Sequence, residues 1–118
     1  MESRPTALVV DDDQALRLLC RVNLELEGFD VREASSVETA LAALDEAHPD
    51  VILLDVHLGR EGSGAVLQRA RADGIPVAVV TGSADIEDYR DVADDVLAKP
   101  FRPDALVAMA RRLAKVAT

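Results

Sequence analysis

Apolar runs and helical patterns alternate along the whole chain. Residues 7–10 form a short apolar run that stops at three aspartates, Asp11, Asp12 and Asp13. From Gln14 to about Glu27 apolar residues recur at helical spacing, Ala15, Leu19, Val22 and Leu26 among them. Gly28 then stands where a helix C-terminus favours glycine. Residues 29–34 alternate apolar and polar, as a half-buried strand does. Ser35 followed by Glu38 reads as a capping box, opening a helix whose apolar face is Val37, Ala40, Leu41 and Leu44.

Pro49-Asp50 breaks the chain before Val51-Ile52-Leu53-Leu54, a run apolar on both faces that ends at Asp55. A glycine-rich loop, residues 59–64, leads into a helix from about Ala65 to Ala72. Residues 77–80 form a fourth apolar run, ending at Thr81. Residues 83–91 form a weak, acidic helix pattern, and residues 96–98 a short strand that ends at Lys99-Pro100. Pro103 suits the first turn of a last helix running towards Ala117. Five strands, each followed by a helix, predict an α/β fold with a doubly wound parallel sheet covered on both faces. With no linker, repeat or low-complexity segment, residues 1–118 are expected to form a single domain with its core at about 7–116.

Charge narrows the range of partners. Acidic residues number 22 against 13 basic ones, a formal charge of −9. Such a surface repels nucleic acid and anionic membranes, so neither is expected as a partner. An apolar content of 49% is too high for a disordered tail, and aromatics at 3% leave a core of Val, Leu and Ala. No apolar run approaches the ~18 residues of a membrane span, and the first residues lack a secretory pattern. The one cysteine, Cys20, reads as a small core residue, and no Cys/His pair has zinc spacing. A cytoplasmic protein is expected.

The chemistry gathers at the strand ends. In a doubly wound sheet ligands bind beyond the carboxyl ends of the strands. Four of the five ends here carry reactive groups: Asp11 and Asp12, then Asp55, Thr81 and Lys99. Taken alone, the aspartate triplet is equally a helix cap, the role assigned to Asp13. Crowded carboxylates repel, and a hard divalent ion relieves the repulsion; Mg²⁺ suits oxygen ligands and keeps waters for a phosphate. Lys99 adds a positive charge and Thr81 a hydroxyl donor. Asp55, on the most buried strand, is the nucleophile best placed to form an acyl phosphate. His57 and Tyr89 read as surface residues, and the acidic run Asp85, Glu87, Asp88, Asp91, Asp94, Asp95 as a solvated face suited to a basic partner.

In Val9-Val10-Asp11-Asp12, Leu53-Leu54-Asp55, Val80-Thr81-Gly82 and Lys99-Pro100-Phe101 the chain resembles the receiver domain of two-component response regulators, the chemotaxis regulator included. The resemblance implies a flavodoxin-like sheet of strand order 2-1-3-4-5. It implies that Asp55 accepts a phosphoryl group from a phosphohistidine on a sensor histidine kinase or histidine phosphotransfer protein. Mg²⁺ would be held by Asp11, Asp12, Asp55 and the backbone carbonyl of His57. Thr81 and Lys99 would engage the phosphoryl oxygens, Gly82 would leave access open, Lys99–Pro100 would be cis, and the first helix would dock the donor. Two departures stand out. Val96 occupies the place of the family's usual aromatic switch, and the loop from His57 to Gly64 lacks the common proline at Gly59 and is one residue longer.

Three function classes follow. The first is a phosphorylation-driven binding switch that phosphorylates and dephosphorylates only itself, with an output partner not specified. The second is a degenerate receiver that binds partners without phosphorylation, an alternative that Val96 favours. The third is a Mg²⁺-dependent aspartyl-phosphate phosphatase, which needs a second carboxylate where this chain has His57. Flavin binding fails, because the first strand turn presents three aspartates to a phosphate. No effector segment follows the last helix, so direct action on DNA is not expected of these residues. A stand-alone regulator and a receiver from a longer kinase or regulator are both compatible with the sequence.

Overall fold

A computed structural model describes residues 4–58, 62–82 and 86–116. Along them run β1 (Thr6–Val10), α1 (Gln14–Leu26), β2 (Asp30–Ala34), α2 (Val37–Glu46), β3 (Val51–Asp55) and α3 (Gly64–Asp73). β4 (Val77–Gly82), α4 (Ile86–Tyr89), β5 (Asp95–Lys99) and α5 (Pro103–Leu113) complete the series. The strands form one parallel sheet in the order β2-β1-β3-β4-β5. This is the doubly wound α/β architecture the sequence predicts, in the strand order the resemblance implies.

Side-chain alternation divides the interior in two. Leu8, Val10, Ile52, Leu54, Val77 and Val79 point to one face, where α2 and α3 cover them with Val37, Ala40, Leu44, Val66, Leu67 and Ala70. Ala7, Val9, Val51, Leu53 and Ala78 point to the other, under α1 and α5. Every residue of β3 is buried, whereas β5, at the sheet edge, is only half-buried along its length. The centre of the sheet is therefore covered from both sides, and the β5 edge is partly open to solvent.

Each helix boundary has a local cause. Asp13 caps α1, its carboxylate accepting from the N–H groups of Ala15 and Leu16. Asp13→Ala is expected to destabilise the protein by about 1 kcal/mol, measured by urea unfolding. Gly28, at φ +93°, allows the turn after α1 that a side chain would strain. Pro103 stands in the first turn of α5.

Five local expectations are corrected. The capping box is Ser36 with Thr39, not Ser35 with Glu38: the Thr39 hydroxyl accepts from the N–H groups of both serines, so the helix starts one residue later. In α1 the buried residues are Cys20 and Leu24, one turn apart, while Leu19, Val22 and Leu26 of the expected apolar spacing face outward. Along the described residues the fourth helix ends at Tyr89, short of the expected Asp91, and Tyr89 packs partly against the α2–α3 core instead of standing on the surface. The last helix ends at Leu113. Residues 59–61 of the longer loop, Ser83 and Asp85, and Ala117 lie outside the described residues.

Candidate functional site

Strand register brings the chemical groups to one rim. Val10 pairs with Leu54, so Asp11 and Asp55 leave their strands side by side. Asp55 pairs with Val80, and Gly82 with Lys99, which puts Thr81 and Lys99 on the two strands beyond. The direction of winding reverses between β1 and β3, where a crevice opens in such sheets.

Carboxylate oxygens of Asp11, Asp12 and Asp55 all lie within 4.8 Å of one another. Asp11 and Asp55 are each only 4% exposed, and Asp12 is open to solvent. The Lys99 ammonium stands 3.7 Å from Asp11 Oδ2 and 3.5 Å from Asp55 Oδ1. Thr81 is fully buried. Lys99–Pro100 is cis, as the resemblance implies. The His57 side chain is exposed, as read from the sequence, while its backbone N–H donates to Asp55 Oδ1 at 3.2 Å.

The loop carrying two of these acids is tied from several directions. Asp11 N–H donates to the Ala34 carbonyl at 3.0 Å, and Asp13 N–H donates to Asp11 Oδ1 at 2.9 Å. The Asp11 carbonyl accepts from Arg17 Nη1 at 2.7 Å. Arg17, and Glu33 behind it, are site neighbours that sequence reading does not find. The only sequence signal is a basic residue one turn inside an acidic helix start, and its partner lies on a strand 16 residues away.

Burial is the main force raising the Asp11 carboxyl above its ordinary value of 3.8. The Asp13 N–H and the Lys99 charge act against this, while the Asp55 and Asp12 charges reinforce it. Among the described residues, three carboxylates against one lysine leave an excess of negative charge in a partly buried crevice. A hard divalent cation fits this donor set, which offers anionic oxygens and no nitrogen or sulfur ligand. The buried thiol of Cys20 lies under α1, where desolvation pushes it up to about 11, so it is an inert core residue.

Among the described residues no helix is long and apolar enough to cross a membrane. The helix surface nonetheless carries an apolar stripe on α1: Leu18, Leu19, Val22 and Leu26 are exposed, Leu26 by 78%. Beside it a groove of about 560 Å³ lies between α1 and α5, walled by Asn23, Leu26, Pro103, Val107 and Arg111.

Residues 7–111 match the family model of the response regulator receiver domain. The chain is 36% identical over 117 residues to the DNA-binding dual master transcriptional regulator RpaA of Synechocystis, covering 92% of this chain and 48% of that protein. It is 38% identical over 113 residues to the DNA-binding response regulator MtrA of Mycobacterium tuberculosis, covering 92% and 50%. The chain thus spans about half the length of these relatives. The receiver domain of NtrX from Brucella abortus superposes with a TM-score of 0.86 at 31% identity, covering 94% of this chain and 99% of that one. The chemotaxis response regulator CheY4 of Vibrio cholerae gives 0.84 at 25%, with coverage of 94% and 99%.

Proposed function

The chain belongs to the response regulator receiver family, and on that premise we propose that Asp55 takes a phosphoryl group from a phosphohistidine donor and that the resulting charge switches partner binding. The supporting observation is the buried pair Asp11 and Asp55, with Asp12 beside them and the Lys99 ammonium reaching both. We assign Mg²⁺ to this donor set, held by Asp11, Asp12, Asp55 and the His57 carbonyl. When bound, it neutralises the carboxylates and draws charge from the phosphoryl oxygens.

The chain's own groups do the rest. A carboxylate oxygen of Asp55 forms the O–P bond as the P–N bond to the donor imidazole breaks. The electron pair of that bond returns to the ring nitrogen, which takes up a proton from solvent. The His57 N–H and the Lys99 ammonium both approach Asp55 Oδ1, which fixes the carboxylate before attack. Lys99 then moves from a carboxylate to a phosphoryl oxygen, and the Thr81 hydroxyl donates to another.

The signal leaves by the partly exposed edge of the sheet. Phosphorylation adds about −1.5 to −2 charge to the rim. Thr81 and Lys99 lie on β4 and β5, paired Thr81 to Ala98 and Gly82 to Lys99, so a pull on both acts on one strand pair. Val96 cannot swing as an aromatic ring would, and the output is therefore a backbone shift of β4, β5 and the flanking helices. The exposed stripe of α1 is the docking face for the donor, a histidine kinase or a histidine phosphotransfer protein.

Acetyl phosphate with Mg²⁺ is expected to give a single phosphoryl adduct by intact-mass spectrometry, absent without the metal. Borohydride trapping should map it to Asp55. No adduct from acetyl phosphate or from any phosphohistidine donor would leave the degenerate receiver as the better account, the reading that Val96 favours.

A further inference from the structure

Arg17 lies one turn inside α1 with only 15% of its side chain exposed. Its guanidinium joins two elements. Nη1 donates to the Asp11 carbonyl at 2.7 Å, and Nε donates to Glu33 Oε1 at 3.1 Å. Glu33, on β2, accepts Arg21 Nη1 on its other oxygen at 2.8 Å. The hydrogen bond from Arg21, then that from Arg17, holds the Glu33 carboxyl below its ordinary value of 4.5 despite partial burial.

The carbonyl that Arg17 grips belongs to the peptide joining Asp11 to Asp12. The N–H of Asp11 is already bound to Ala34. That N–H lies on the preceding peptide plane, so with the carbonyl held as well, both planes that meet at the Asp11 Cα are fixed, and they set the directions in which the Asp11 side chain and the following Asp12 leave. We propose that Arg17 is a positioning residue: anchored on Glu33, it locks the Asp11–Asp12 peptide and so aims both carboxylates at the divalent cation. The inference rests on the magnesium reading of the acidic rim.

Electrostatics and positioning predict opposite signs here. Arg17 is a cation near a cation site, so charge alone makes its removal tighten Mg²⁺ binding. Loss of alignment makes removal weaken it, as loss of the groups that orient metal ligands does. The planar fork also matters, because a lysine keeps the charge but not the two-sided geometry.

The test is a Mg²⁺ titration of the full chain followed by amide chemical shifts, with urea unfolding in EDTA as a check of folding. Arg17→Met is expected to raise the Mg²⁺ Kd by about tenfold. Arg17→Lys should raise it by a smaller factor, about threefold, since one of the two contacts survives. Glu33→Gln should also weaken binding, but loss of its charge acts in the same direction, so the charge-preserving Arg17→Lys carries the test if Arg17→Met does not fold. Affinity unchanged or tightened in Arg17→Met, or in Arg17→Lys should Arg17→Met not fold, overturns the role of Arg17 while leaving the metal site standing. A wild-type chain whose rim amides do not respond to Mg²⁺ overturns the magnesium reading itself, and this inference with it.

Discussion

Asp55→Asn is expected to abolish the phosphoryl adduct and, in the same protein, to make the metal-free fold more stable. The first effect is chemical: the amide keeps the shape of the side chain but is no nucleophile. The second is electrostatic. Asp55 and Asp11 are buried side by side, and the Asp55 charge adds to the cost of ionising Asp11. Removing one charge should therefore raise the unfolding free energy in EDTA by on the order of 1 kcal/mol. Intact mass measures the first effect and urea titration the second. An adduct of undiminished occupancy would place the acceptor elsewhere.

The same electrostatics gives a signed pH dependence. The Asp11 carboxyl ionises above its ordinary 3.8 in the fold, so the folded state holds that proton more tightly than the unfolded chain. The contribution of Asp11 to stability therefore falls as pH rises from about 3.8 through the raised value, and is level above it. Asp11→Asn lacks this loss, so without metal its stability advantage over wild type should widen across that window.

Lys99→Met is expected to give the opposite stability result. Its ammonium lies within 3.7 Å of both buried carboxylates, and removing it leaves them opposed without that counter-charge. A fully buried pair broken in this way costs roughly 3–5 kcal/mol; with the lysine side chain 32% exposed, solvent screening lowers the expected loss to about 2 kcal/mol. The loss should shrink in Mg²⁺, because the metal takes over the charge, and binding of Mg²⁺ should tighten as a competing cation is removed. Urea unfolding with EDTA and with Mg²⁺ measures both. Equal stability of variant and wild type in EDTA would show that the lysine does not serve the carboxylates.

Much of this site was readable from the chain because β-strand ends are readable. An apolar run that stops abruptly at Asp11, Asp55, Thr81 or Lys99 marks both the strand and the side of the sheet on which the next residue emerges. Parallel winding then sends all four to one rim. Hydrogen bonds whose partners come from another element were not readable. Arg17 and Glu33 meet only because β2 lies next to β1, and the strand order came from the resemblance, not from periodicity. The capping box slipped by one residue because two serines stand in a row and the Thr39 hydroxyl does the work that Glu38 was expected to do. In α1 there are more apolar residues than the sheet can cover, so a period-based reading picks out a stripe but not which stripe is buried.

That surplus has a mechanical consequence. The rod that presents Leu18, Leu19, Val22 and Leu26 to the outside also begins at the Asp13 cap and carries the arginine that grips Asp11. Whatever seizes the greasy flank of this rod holds the acidic crevice by the same handle. A slight roll or slide imposed by a visitor would reach the carboxylates without crossing the core, so recognition and readiness to react are felt in one rigid piece.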